Sequence, residues 1–394
     1  MDSTWAPHSW TTKPCQQAID YSDAKDLNKM VSKLSQSAPL VTFDEIEKLK
    51  AQLASAHQQA CFFLQAGDCA ELFTETSPEI IQLKSEFLLN LAAVLGRELN
   101  LPIVTIGRIA GQYAKARTEL HEQHLGASLP SYRGDLINAA EWSQARRQSD
   151  ANRLWQAYEC ASLSLRALAP EIYTSHEALN LYYEEALTRQ GPNRQWYNTS
   201  THFPWLGLRT SALTGAHVEY LRGIANPIAV KIGPGMTSEH LQALILRLNP
   251  ERELGKLCLL TRLGAAQVAL ELPRLIDAVR STGVPVLWGV DPMHGNTKMT
   301  RTGFKTRDFD MILTELQQTI SIHAMHNSHC SGIHLELTHE AVTECVGGPG
   351  GVTEHDLIKN YKTPVDPRLN GQQAEALVGQ VSLMKNRAVQ CTTF

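Results

Sequence analysis

Residues 229–290 read AVKIGPGMTSEHLQALILRLNPERELGKLCLLTRLGAAQVALELPRLIDAVRSTGVPVLWGV. Three short apolar and β-branched runs stand out in it, at 229–232, 257–261 and 284–290. Between them, 238–248 and 265–281 repeat apolar residues at the spacing of an amphipathic helix. A strand–helix–strand–helix–strand order implies parallel strands joined by helical crossovers. The alternation continues outward on both sides. Upstream lie runs at 62–65, 103–106, 172–175 and 203–206, and downstream one at 333–337. Helical patterns at 78–96, 152–168, 177–189, 212–224 and 307–325 separate most of them. Eight such strands predict an α/β fold of the (β/α)8 TIM-barrel type rather than an open sheet. Residues 1–60 then form an N-terminal extension and 61–394 the barrel.

Composition agrees with one large core. The chain has 394 residues, 43% of them hydrophobic, and a formal charge of −4. No basic excess or basic block points to nucleic acid or a membrane surface. The start, MDSTWAPHSWTTKPC, lacks the basic-then-apolar pattern of a secretory signal, and the apolar stretch near 87–95 is too short to span a bilayer. The eight cysteines are scattered without a CxxC pair. A reduced, cytoplasmic protein is expected.

In a barrel of this kind, function sits at the C-terminal ends of the strands and in the loops that follow. The first run leads into Gly67-Asp68-Cys69, and the second into Arg108, Lys115 and Arg117. The third leads into His176 and Glu177, the fourth into Arg209, and the fifth and sixth carry Lys231 and Arg262. The seventh leads into Asp291 and His294. His334 and Glu336 stand two apart on the eighth, so they share a face. Any one of these has an ordinary explanation, because a lone His is usually structural and Arg and Lys are usually solvated. Eight strand ends bearing such residues are harder to ascribe to chance. Two chemical groups emerge. Cys69, His294, Glu336 and the later Asp366 combine thiolate, imidazole and carboxylate, a set suited to a divalent transition metal. Arg108, Lys115, Arg117, Arg209, Lys231, Arg262, Lys305 and Arg307 would bind phosphates and carboxylates, and their number suggests more than one anionic group.

The same segments resemble a known family. GDCAE at 67–71, RIAGQYAKAR at 108–117, SYRGD at 131–135, TSHEAL at 174–179 and ANPIAVKIGP at 225–234 are followed by DPMHGNT at 291–297, GFKTR at 303–307, GIHLELT at 332–338, VTEC at 342–345 and DPRLN at 366–370. In this collinear order they are similar to class II, plant-type 3-deoxy-D-arabino-heptulosonate 7-phosphate (DAHP) synthases. The resemblance implies a (β/α)8 barrel and condensation of phosphoenolpyruvate with erythrose 4-phosphate. This is the first step of the shikimate pathway. It also implies a homo-oligomer and a divalent metal, manganese or cobalt, on Cys69, His294, Glu336 and Asp366. Phosphoenolpyruvate contacts would fall on Arg108, Arg209, Lys231 and Arg262, with position 208, and sugar-phosphate contacts on Lys115, Arg117 and Thr118. His176, Glu177 and His334 are the candidates for acid–base work.

The chain departs from the family pattern after the fourth strand. Leu208-Arg209-Thr210-Ser211-Ala212-Leu213-Thr214 keeps the phosphate-facing Arg209. It replaces the family's Glu, second Arg, Gln and Asp, so a different acceptor aldehyde or a non-catalytic paralogue are the alternatives. Val365 stands where some relatives carry a Cys, which removes a redox partner for Cys69. The connection before Ser175 is short, without the helical pair that long members use for aromatic inhibition. A role in secondary metabolism is therefore expected.

Overall fold

The structure, a computed structural model, describes residues 5–124 and 126–381. Cys391 lies outside the described residues. Strands β1 (Phe62–Gly67), β2 (Ile103–Arg108), β3 (Tyr173–Thr174), β4 (Trp205–Leu206), β5 (Ile228–Ile232), β6 (Leu257–Thr261), β7 (Leu287–Val290) and β8 (Gly332–Glu336) form one parallel sheet. Its order is β3-β2-β1-β8-β7-β6-β5-β4. The two outermost members, β3 and β4, then meet. Phe203 N donates to Thr174 O at 3.1 Å and Trp205 N to His176 O at 3.0 Å. Ala178 N returns to Trp205 O at 3.0 Å, which closes the ring. The fold is the expected (β/α)8 barrel, and each strand overlaps its predicted run.

Strong local signals set the main helices. Helix α1 spans Ala24–Ser35 and α2 spans Phe43–His57, where Thr42 and Glu45 make a reciprocal capping box. In α3, Pro78–Leu99, Ser77 caps the N-terminus, Pro78 opens the first turn and Asn100 ends the helix in the left-handed region at φ 50°. Then follow α4 (Asn152–Ala167), α5 (Leu181–Ala186), α6 (Ala216–Leu221), α7 (Ser238–Leu248), α8 (Val268–Thr282), α9 (Phe309–Met325) and α10 (Gly371–Gly379).

Two helical expectations shrink. The 177–189 pattern yields only α5, because Thr188–Gln190 turns into a hairpin with Trp196–Asn198. Gly191 to Arg194 make the bend, and Arg194 adopts φ 65°. The 212–224 pattern yields only α6, because 212–215 form a turn in which Gly215 N bonds to Ala212 O at 2.8 Å. Further hairpins sit on the barrel loops at His121–His124 with Ala127–Pro130, and at Thr297–Met299 with Lys305–Arg307.

The core has two layers. Helices pack on the outer face of the strands, and a second cluster fills the barrel. That inner cluster joins Phe63, Val104, Ile106, Phe203, Trp205, Ala229, Cys258, Leu260 and Leu287 to Leu49, Leu53 and Ala56 of α2. The Phe63 ring fills the space left by two glycines. A Cβ would lie 2.1 Å from it at Gly332 and 2.6 Å at Gly289. Among the described residues no helix is long and apolar enough to cross a membrane.

Candidate active site

A cavity of about 530 Å³ opens at the C-terminal ends of the strands, the end at which barrel enzymes carry their chemistry. At one wall, four side chains from distant segments converge on the Lys115 ammonium. Its Nζ lies 2.9 Å from Asp366 Oδ2, 3.0 Å from Cys69 Sγ, 3.1 Å from Glu336 Oε1 and 3.3 Å from His294 Nε2. These are the four residues expected to hold a metal. Their donor atoms surround one point, and that point already carries positive charge. The mixed sulfur, nitrogen and oxygen set suits a divalent transition metal, and a compact ammonium stands in for it. His294 is oriented for the purpose. Its Nδ1 donates to Asp291 Oδ2 at 2.7 Å, leaving the Nε2 lone pair directed at the cluster.

Charge balance explains how so many ionised groups share a dry place. Burial would raise the Glu336 carboxyl, yet His294, Lys115, Arg307 and Arg108 hold it well below the usual range. Burial also opposes the Lys115 charge, but Asp366, Cys69 and Glu336 hold its pKa above normal. The Cys69 thiol is pushed up to about 12, first by burial and then by Glu336, against Lys115. A second group, Asp291, His294 and His334, also brings its ligand atoms close together. It fits a metal less well. His334 Nε2 accepts from Arg108 Nη1 at 2.7 Å and its Nδ1 donates to Gln65 Oε1 at 2.8 Å, so both ring nitrogens are engaged.

The expected anion-binding cations separate into two groups. Arg108, Lys115, Arg117, Arg209, Lys231, Arg262 and Lys305 line the cavity with Thr118 and Leu208. Lys231 pairs with Asp291 Oδ2 at 2.6 Å, and burial pushes its ammonium down to about 8 despite Asp291. Arg209 donates to Thr118 Oγ1, and Arg262 Nη2 donates to His294 O at 3.2 Å. Lys305 Nζ lies 3.2 Å from Asp366 Oδ1. Arg307 is placed differently from the expectation. It is wholly buried behind Glu336, with Nη1 2.8 Å from Glu336 Oε2 and Nε donating to Thr297 Oγ1 at 3.0 Å. It balances the Glu336 carboxylate instead of facing the cavity.

The acid–base candidates also divide. Glu177 reaches the cavity, where burial raises its carboxyl against Lys115, Arg209, His294 and Lys231. Gly207 makes this possible, because a Cβ there would lie 2.1 Å from Glu177 Oε1. His176 points away from it, in a buried network with Glu184 Oε1 at 3.0 Å and Ser200 Oγ at 3.2 Å. His334 sits beneath Arg108. Burial, then the Lys231 and Arg108 cations, hold it well below its usual pKa and therefore neutral.

Several residues join the site without a chemical signature in the sequence. Trp205 lies under two cations, with Arg108 Cζ 5.1 Å and Lys231 Nζ 5.8 Å from its ring. Gln112 lines the cavity and accepts from Glu177 N at 2.9 Å. Glu71, 2% exposed, accepts the N–H groups of Ala110, Gly111 and Gln112 at 3.0, 2.9 and 2.8 Å. It thereby fixes the loop that leads to Lys115. Val365 packs beside Cys69 in a small apolar cluster.

A barrel whose strand ends join a cationic cavity to clustered side chains that could hold a metal ion defines a class of anion-binding enzymes. Similarity to known proteins narrows that class. A family model described as the class-II DAHP synthetase family matches residues 5–170 and 166–382. The two pieces meet at the short connection between α4 and β3. A phospho-2-dehydro-3-deoxyheptonate aldolase of Neurospora crassa is 39% identical over 444 residues, covering 94% of this chain and 92% of its own. The Streptomyces coelicolor protein of the same name is 36% identical, covering 96% and 97%. One from Mycolicibacterium smegmatis is 38% identical, covering 91% and 90%. A solved phospho-2-dehydro-3-deoxyheptonate aldolase from Francisella tularensis superposes with a TM-score of 0.52 at 15% identity, over 90% of this chain and 96% of that one, and supports the fold. The chain belongs to the class-II DAHP synthetase family.

Proposed function

We propose that this enzyme condenses phosphoenolpyruvate, erythrose 4-phosphate and water to give DAHP and inorganic phosphate. The observation that carries the reading is the cationic cavity sharing a wall with the Cys69, His294, Glu336 and Asp366 cluster. Two phosphorylated substrates need several cations, and an aldehyde acceptor needs its oxygen polarised. A divalent metal, manganese or cobalt, held by those four residues would supply that polarisation as a Lewis acid.

The chain's own residues do the rest. Arg108 and Lys231 would hold the carboxylate of phosphoenolpyruvate above Trp205, while Arg209 and Arg262 would clamp its phosphate. Lys115, Arg117, Thr118 and Lys305 face the acceptor side. Fixing the enol carbon against the aldehyde carbon is mainly a positioning effect. The new carbon–carbon bond leaves cationic character at the enol carbon. Water adds there and phosphate departs. Glu177, with its carboxyl raised by burial, is the cavity group best suited to hold or move a proton during water addition.

The test is phosphate release and a seven-carbon product from the two substrates with manganese or cobalt. Absence of turnover in metal-loaded protein would refute the assignment and favour the non-catalytic paralogue. Leu208 favours one variant of this reading. Its apolar side chain lines the cavity where the family pattern carries Glu, so another phosphorylated aldehyde could be the preferred acceptor. Comparing kcat/KM across aldehydes decides between them. The five residues between α4 and β3 leave no room for an inserted helical pair. Aromatic amino acids are therefore expected to leave the rate unchanged, in keeping with a role in secondary metabolism. A homo-oligomer belongs to the same proposal, and sedimentation measures it.

A further inference from the structure

The acceptor side of the cavity is held from outside the barrel. After Arg117 the chain leaves the protein interior, and Thr118, Glu119 and Leu120 are exposed. A loop of this kind needs a tie at the point where it emerges, or its cations lose their positions. That tie is the side chain of Gln17, a hundred residues earlier in the N-terminal extension. Gln17 Nε2 donates to Arg117 O at 2.9 Å, and Arg117 N donates to Gln17 Oε1 at 3.0 Å. One carboxamide thus satisfies both backbone groups of Arg117, as a neighbouring strand would.

The tie is itself anchored. Arg133 Nη2 and Nη1 donate to Gln17 O at 2.5 Å and Ala18 O at 2.9 Å, and Arg133 O accepts from Lys115 N at 2.8 Å. Gln17 adopts φ 56°, a conformation a non-glycine residue keeps only where its surroundings enforce it. The same segment also grips the opposite wall of the cavity. Pro14 O accepts from Ala216 N at 2.9 Å, and Gln16 Oε1 accepts from Ala212 N at 3.4 Å. Residues 14–18 therefore bridge the loop after β2, which carries Lys115, Arg117 and Thr118, to the loop after β4, which carries Leu208 and Arg209.

We infer that Gln17 is a positioning residue for the phosphorylated acceptor, setting Arg117 and its neighbours through the backbone without touching substrate. This rests on the proposed reading of the cavity. Of the four proposed phosphoenolpyruvate contacts, Arg108, Lys231 and Arg262 stand on the strands themselves or at their ends, and Arg209 alone bonds to the tied loop, through Thr118, so loss of the tie weakens the acceptor far more than phosphoenolpyruvate.

Gln17→Ala in the full chain tests this by two independent readouts. Amide hydrogen exchange reports the tie directly. Protection of the 115–120 segment should fall in Gln17→Ala, and Gln17→Glu should retain part of it because a carboxylate still accepts the Arg117 N–H. Steady-state kinetics report the function. KM for erythrose 4-phosphate should rise about tenfold, the scale expected when a hydrogen-bonded tie is removed, while KM for phosphoenolpyruvate stays within about twofold. Gln17→Glu should fall between Gln17→Ala and the wild type. Unchanged exchange in Gln17→Ala overturns the inference whatever the enzyme catalyses, and so does an equal rise in both KM values. A wild type that fails to turn over these substrates refutes the functional reading alone, because the exchange result still decides whether the tie exists.

Discussion

Lys115 illustrates how one side chain can serve two purposes at one point. Its ammonium sits among Cys69, His294, Glu336 and Asp366, where a divalent cation would compete with it directly. Lys115→Met removes the competitor and leaves all four proposed ligands. Metal affinity measured by calorimetry should stay equal or tighten, while turnover should fall about 100- to 1,000-fold, as when one charge-stabilising donor is removed. Loss of metal binding would show instead that Lys115 supports the ligand cluster. In the proposed reaction, Lys231 would set the pH dependence. Burial brings its pKa down to about 8, and only the protonated form attracts the phosphoenolpyruvate carboxylate. kcat/KM for phosphoenolpyruvate should therefore hold below pH 8 and decline about tenfold per unit above it. A flat profile to pH 9.5 would refute this role. At this scale the sequence locates positions better than directions. Strand ends tell which residues approach the mouth, but Arg307 turns behind Glu336 and His176 turns toward Glu184. No periodicity encodes such turns, because they are set by partners many residues away.

Among elements, the barrel strands were legible because apolar runs and their spacing determine them locally. The loops were not. The hairpin pairings of 121–124 with 127–130, 188–190 with 196–198 and 297–299 with 305–307, and the shortness of α5 and α6, depend on turn chemistry and on packing that forms only after the barrel closes. The loop after β2 is the sharpest case. Ala110 adopts φ 62°, and Glu71 collects the three N–H groups from Ala110 to Gln112. Glu71 lies in the GDCAE segment, yet only its three-dimensional partners reveal its task. Glu71→Ala would strand three buried donors, each costing about 1–3 kcal/mol unless water reaches it. A stability loss of about 3 kcal/mol or more is expected by chemical denaturation, together with weaker binding of both substrates, since Arg108 and Lys115 flank the loop. A variant as stable as wild type would mean that water replaces the carboxylate fully.

At the scale of the whole molecule, the N-terminal 60 residues and the barrel share one core. Leu49, Leu53 and Ala56 of α2 are fully buried among Phe63, Val104, Cys258 and Leu287 at the opposite end of the barrel from the cavity. His57 Nδ1 contacts Val286 O at 3.1 Å, and α1 packs on α4 and α5. Farther upstream, residues 14–18 cross the mouth. The extension thus closes the floor with a helix and braces the rim with a strap, so the barrel alone lacks a cover at both ends. Two experiments follow from this arrangement. Leu53→Ala empties a site inside the floor and should cost about 2–5 kcal/mol, read as a lower denaturation midpoint with metal and substrate affinities kept, because the cavity lies at the far end. A chain restricted to residues 61–394 exposes the inner cluster to water, and no cooperative thermal transition is expected from it. A sharp melt and wild-type turnover from that fragment would establish the barrel as an independent unit, and the shared floor would then be packing without necessity.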